Sequence, residues 1–156
     1  MLLVDLDPQG NASTGLGIAR GSSRRGSYAV LVQDAEIHNV ARSCEVNGLL
    51  VVPADGDLAG AELEMIELSS REHRLRIALE RAVAFDFVIL DCPPSLGLLT
   101  LNGLVAAQSV LVPLQTEFYA LEGVSQITQT IERVRRSLNP GLALEGIVLT
   151  DRKSVV

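Results

Sequence analysis

Three aspartates stand where a chain can bring carboxylates together. Asp5 and Asp7 follow the short apolar run Leu2-Leu3-Val4, and Pro8 and Gly10 then break the chain into a loop. Asp91 ends a second run, Phe87-Val88-Ile89-Leu90, and is followed by Cys92, Pro93 and Pro94. Each run reads as a buried strand emptying into a loop. Ligands of open α/β sheets sit outside the carboxyl ends of the strands, so acids released there lie where chemistry is done. One such aspartate is ordinarily a polar strand-end residue that caps nearby backbone. Two strands ending D-x-D-P and D-C-P-P point instead to a metal or nucleotide site, because Mg²⁺ on phosphates is held through carboxylates and waters. Asp91 then has the Walker-B position, and Asp7 is placed to orient a water for in-line attack on a γ-phosphate.

Other chemistry is weakly represented. A phosphate-binding P-loop needs glycines and a lysine, and the only lysine in the chain is Lys153. Gly15, Gly17 and Gly21 miss the dinucleotide-binding spacing by one residue and lie well past the strand end. His38 and His73 sit among polar and charged neighbours, where solvation is the expected role. Cys44 and Cys92 have no C-x-x-C partner and read as free buried thiols of a reducing compartment. The chain has 156 residues, 47% of them hydrophobic, which suffices for one domain with a core, and a net charge of −6, which argues against a general nucleic-acid or membrane coat. Arg20, Arg24 and Arg25 form its one compact basic cluster, read as solvated charge. No apolar run reaches the length of a membrane span, and Met1 opens no signal peptide.

The acids must be positioned by alternating strands and helices. Asn11–Gly26 reads as a mobile connection, Tyr28–Val32 as a short helix and Gly48–Pro53 as a buried strand. Asp57 is a candidate N-cap for a helix over Leu58–Leu68, and a further helix from about Ser70 carries Glu72 and Arg76 as an i, i+4 pair. After the Phe87–Asp91 strand come a short apolar helix over Thr100–Ala107, a strand over Ser109–Pro113, an amphipathic helix over Leu121–Leu138 and a strand over Leu144–Thr150. The pattern predicts a three-layer α/β fold, a parallel sheet of five apolar strands with helices on both faces. Thr116–Gly123 adds Phe118 and Tyr119 at the same carboxyl edge.

VDLDPQGNASTGLG, FDFVILDCPPSLGLLTLNGL, VLVPLQTEFYALEGVSQI and RRSLNPGLALEGIVLT, in that order from Leu2 to about Thr150, closely resemble the ParA/Soj family. These are deviant-Walker P-loop ATPases that partition chromosomes and plasmids. The resemblance implies a cytoplasmic, nucleoid-associated bacterial protein that dimerises with ATP and Mg²⁺. It also implies non-specific DNA binding through a C-terminal region, stimulation by a ParB-like partner and no stable membrane association. Asp5, Pro8, Gln9, Gly10 and Asn11 match the first switch, with Asp7 helping to activate the hydrolytic water and Asp5 supporting the metal and phosphate region. Asp91 matches the residue that reaches Mg²⁺ through water, with Pro93 and Pro94 in the same phosphate-region segment.

The family's Gly-rich, lysine-bearing loop and its strand have no counterpart here, and Asp151–Val156 does not match the family's continuation. The expectation is a fragment, with residues 1–150 a partial ATPase domain and 151–156 an atypical tail. A missing strand between those ending at Asp7 and Asp91 would expose two apolar strand edges or force them to pair with each other, leaving a gap or an abnormally close pair. The isolated chain is then expected neither to bind ATP tightly nor to hydrolyse it. Two rivals are a MinD-like membrane-cycling ATPase and a non-catalytic short interaction module.

Overall fold

Leu2–Asp5 forms β1, the strand around which the first of two compact units is built, Met1–Ala106; the second is Ala107–Val156. The computed structural model describes residues 1–19, 25–83, 85–115 and 120–150. The Arg20 and Arg24 of the basic cluster, the Thr116–Tyr119 stretch and the 151–156 tail lie outside the described residues.

In the first unit, β2 (Arg42–Ser43), β3 (Leu50–Val52) and β4 (Val88–Asp91) join β1 in the order β2-β3-β1-β4. The β3 and β4 ladders run parallel to β1, and the two-residue β2 pairs antiparallel with β3. Leu2 and Val4 are fully buried, as an apolar strand flanked on both sides requires. They meet Leu31, Val52, Leu58, Met65, Leu75 and Leu99 in one cluster. Those side chains come from α2 (Ser27–Val32), β3, a 3₁₀ turn at Leu58–Gly60, α4 (Ala61–Met65), α5 (Arg74–Glu80) and α6 (Leu98–Ala106). The remaining helices are α1 (Asn11–Gly15) and α3 (Ile37–Val40).

Polar side chains tie these helices together. Asn102, fully buried on α6, accepts from the Leu75 amide at 3.1 Å and donates to the carbonyls of Arg71 at 2.8 Å and Leu98 at 2.9 Å. It thus satisfies one orphan amide at the start of α5. Glu62 does the same for α6, accepting from the Leu99 amide at 3.0 Å. Gly103 lets α6 close on β4, since a Cβ there would lie 2.5 Å from Cys92 Sγ.

In the second unit, β5 (Ser109–Gln115) and β6 (Ala143–Thr150) pair in parallel across α7 (Ala120–Ser137), with a register shift at Val110/Leu111. Ile131, Val134 and Leu142 are its buried apolar side chains.

Several expectations are corrected. The described strands form a four-stranded and a two-stranded sheet, not one sheet of five. Of the two outcomes expected at the aspartate-bearing strands, the gap is absent and direct pairing is present: β1 and β4 are hydrogen-bonded neighbours, in unbroken register from Leu2↔Val88 to Asp5↔Asp91. β4 is instead an edge of its sheet, and Phe87 is 67% exposed beside it. Asn11–Gly15 is helical, held by the Asp5 carboxylate, where a mobile connection was expected. Asp57 makes no side-chain cap, because the chain enters α4 through the 3₁₀ turn. Glu72 precedes α5, so helical spacing does not apply to it: it pairs with Arg71, and Arg76 pairs with Glu80.

Candidate functional site

β1 ends on Asp5, which is completely buried yet fully engaged. Its Oδ2 accepts from the Ser13 amide at 2.8 Å and the Ser13 hydroxyl at 2.5 Å, and its Oδ1 accepts from the Asp7 amide at 3.1 Å. A buried carboxylate is tolerable only with such partners. The chain then turns over Pro8 and Gln9. Asp7 Oδ1 accepts from the Gln9 amide at 2.9 Å, and the Asp7 carbonyl accepts from Gly10 at 2.8 Å. Gly10 has φ +63°, a left-handed conformation that glycine adopts at least cost, and its carbonyl takes the amide and hydroxyl of Thr14 as α1 begins. Gln9 and Asn11 are exposed, while Pro8 is half-buried.

Across the ladder stands Asp91, half-buried, its carboxylate without a hydrogen-bond partner among the described residues. Burial raises its pKa, and the charges of Asp5 and Asp7 raise it further. The structure therefore gathers all three predicted acids at the carboxyl edge of adjacent strands. Beyond Asp91, the buried Pro93 has its carbonyl on the Thr100 hydroxyl at 3.2 Å, which fixes the turn into α6, and Pro94 is exposed. The Cys92 thiol, mostly buried, is pushed up to about 12 by burial and then by Asp91, so it is neutral at physiological pH and a poor nucleophile.

The donor set fits Mg²⁺, a hard cation that keeps several waters and takes one or two carboxylates. Among the described residues no three acid, imidazole or thiol groups are arranged to hold a metal by themselves. A cation would offset the like charges that raise Asp91.

Three residues escaped the sequence reading. Ser13 and Ser27 are buried hydroxyls at this edge, and Asp55 is a buried acid beside them. Asp55 follows β3 by three residues, so the strand-end signal that drew attention to Asp5 and Asp91 was present there too. Its Oδ2 accepts from the Gly26 amide at 2.6 Å; burial raises its pKa, and the amides of Gly26, Ala29 and Tyr28 oppose that rise. The serines carried no comparable signal, since their partners are distant in sequence.

A family model described as an AAA domain (AAA_31) matches residues 1–144. The chromosome partitioning protein ParA of Myxococcus xanthus is 55% identical over 150 residues, covering 96% of this chain and 53% of that protein. The sporulation initiation inhibitor protein Soj of Bacillus subtilis is 49% identical over 151 residues, covering 96% of this chain and 60% of that protein. This chain belongs to the ParA/Soj family. It spans 53% and 60% of the lengths of these two relatives. Among solved structures, the cobyrinic acid a,c-diamide synthase of Mycobacterium smegmatis, with bound ATP analog and magnesium, superposes with a TM-score of 0.90 at 44% identity, covering 95% of this chain and 61% of that one. A plasmid partition protein of Borrelia burgdorferi, 19% identical, shares the fold with a TM-score of 0.81, covering 95% of this chain and 64% of that one. The fold class is accordingly α/β of the P-loop NTPase type, with a parallel sheet and helices. None of the described helices is long and apolar enough to cross a membrane.

Proposed function

We propose that this chain carries the switch-bearing part of an ATP hydrolase that drives partitioning of chromosomal or plasmid DNA. The observation that carries the reading is the in-register pairing of Asp5 with Asp91, which sets the D-x-D-P and D-C-P-P segments side by side at one sheet edge. Mg²⁺ supplies charge neutralisation of the phosphates when it is bound. Asp91, with no competing partner among the described residues, would hold that ion through water. Asp7 orients and deprotonates the attacking water, and Asp5 serves the metal region indirectly, since both its oxygens already hold Ser13 and Asp7 in place. Pro8, Gln9, Gly10, Asn11, Pro93 and Pro94 shape the two segments that respond to the phosphates. With Lys153 the sole lysine and no Gly-rich loop around it, the 156 residues alone bind ATP weakly and do not turn it over.

The whole protein then acts in the cytoplasm on the nucleoid, as an ATP-dependent dimer that meets non-specific DNA and a ParB-like protein. The similarity to an amide synthase favours a second reading, ATP-driven amide formation on the same fold. Replacing Asp7 by Asn in the cell separates them. Under the partition reading, inheritance of the chromosome or plasmid becomes random and cells without it accumulate. Normal inheritance together with a lost ATP-dependent amide synthesis would favour the second.

A further inference from the structure

Ser13 and Ser27 are buried hydroxyls for which the chemistry at the acidic edge has no use. Each bridges segments far apart in sequence. The Ser13 hydroxyl donates to Asp5 Oδ2 and accepts from the Ala54 amide at 3.1 Å, joining the end of β1 to the loop after β3. The Ser27 hydroxyl donates to the Asp5 carbonyl at 2.6 Å, with a longer contact of 3.3 Å to the Pro53 carbonyl, and the Ser27 amide donates to Pro53 at 2.9 Å. The Gly26 amide closes the loop on Asp55. Little slack exists here, since a Cβ on Gly26 would lie 2.0 Å from the Pro53 carbonyl oxygen.

We propose that Ser13 and Ser27 are positioning residues that make the Asp5–Asn11 segment, the Pro53–Asp55 loop and the start of α2 move as one unit, so that a rearrangement at the acidic edge is passed to α2. The physical ground is that the Ser13 and Ser27 bonds to Asp5 are buried and the Ser13 bond to the Ala54 amide is part-buried. Water cannot replace a partner that moves away, so the three segments shift together or leave polar groups stranded. α2 carries the signal outward, because the Tyr28 hydroxyl donates to Glu64 of α4 at 2.8 Å on the exposed side. The inference rests on reading Asp5–Asn11 as the switch of the site.

Amide hydrogen exchange on the 156-residue chain, followed by NMR for wild type, Ser13→Ala, Ser13→Thr and Ser27→Ala, tests the relay without nucleotide. Ser13→Ala is expected to speed exchange about tenfold at Ala54 and also at Gly26 and Ser27, amides that Ser13 does not touch. Ser13→Thr, which keeps the hydroxyl, restores protection at all three. The Leu75 amide, held by Asn102 elsewhere, stays unchanged. Acceleration confined to Ala54, equal acceleration at Leu75, or no rescue by threonine would each overturn the relay. Should Ser13→Ala fail to fold, Ser27→Ala read at Ala54 decides by the same criterion. Because no ATP is involved, failure of the hydrolase reading and failure of the relay are separately visible.

Discussion

Asp5 and Asp91 face each other across β1 and β4 at the same register, and each ends an apolar strand. Their surroundings differ in kind. β1 is an interior strand whose terminal acid is sealed from solvent and holds three donors, whereas β4 is a sheet edge whose acid is half-buried and without a partner among the described residues. The same sequence signal thus produces an anchor in one place and an available carboxylate in the other. The local partners decide which: Ser13 and the Asp7 amide occupy both oxygens of Asp5, and no donor among the described residues reaches those of Asp91.

Substitutions can break or sharpen that contrast. Asp5→Ala strands the Ser13 amide, the Ser13 hydroxyl and the Asp7 amide, and is expected to cost about 3 kcal/mol or more in denaturant unfolding. A loss below about 1 kcal/mol would place Asp5 in the same class as Asp91. Gly103→Ala drives a methyl toward Cys92, the residue after Asp91, and is expected to cost about 1–3 kcal/mol by overpacking, with a matching drop in thermal midpoint. Asp91→Asn removes a charge that Asp5 and Asp7 oppose, so stability should change by no more than about 1 kcal/mol and in the stabilising direction.

The pH dependence gives the smallest effect. Asp55 and Asp91 both have folded pKa values raised above 3.8. For an acid shifted upward, the folded state binds more protons than the unfolded state, so stability falls as pH rises from 3.8 through the folded value and is flat beyond it. Unfolding measured from pH 3.5 to 8 should show this decline from these two groups, set against the opposite trend of ordinary ion-paired acids. Asp91→Asn and Asp55→Asn should each flatten one share of it. A variant that leaves the slope intact would show that its carboxyl is not held above the ordinary range.

Much of this arrangement was legible before any coordinates. The apolar runs at Leu2–Val4, Gly48–Pro53 and Phe87–Leu90 are continuous and short, so they read as strands, and Asp5, Asp7 and Asp91 marked the site's edge; the expected burial holds for β1 but not for β4, where Val88 and Ile89 are exposed. Pairing order was not legible, because three runs of nearly equal character give no sign of which lies between the others. The strand expected between β1 and β4 came from the family resemblance, and the ladder there is direct. Local rules failed where partners come from afar: Glu62 caps α6 from another helix, and Asn102 caps α5 from α6. Spacing misled at Glu72 because the chain there has not yet entered its helix; the left-handed Ser70 lies just upstream.

The most direct measurement is ATP turnover with Mg²⁺ by the 156-residue chain, beside a version extended to the length of its relatives and the same version with Asp7→Asn. Hydrolysis by the extended version alone, reduced at least about a hundredfold by Asp7→Asn, is the result expected of an acidic edge that orients water but lacks its phosphate-binding loop. Turnover by the short chain, or an Asp7→Asn version as fast as its parent, would contradict the assignment of the chemistry to this edge.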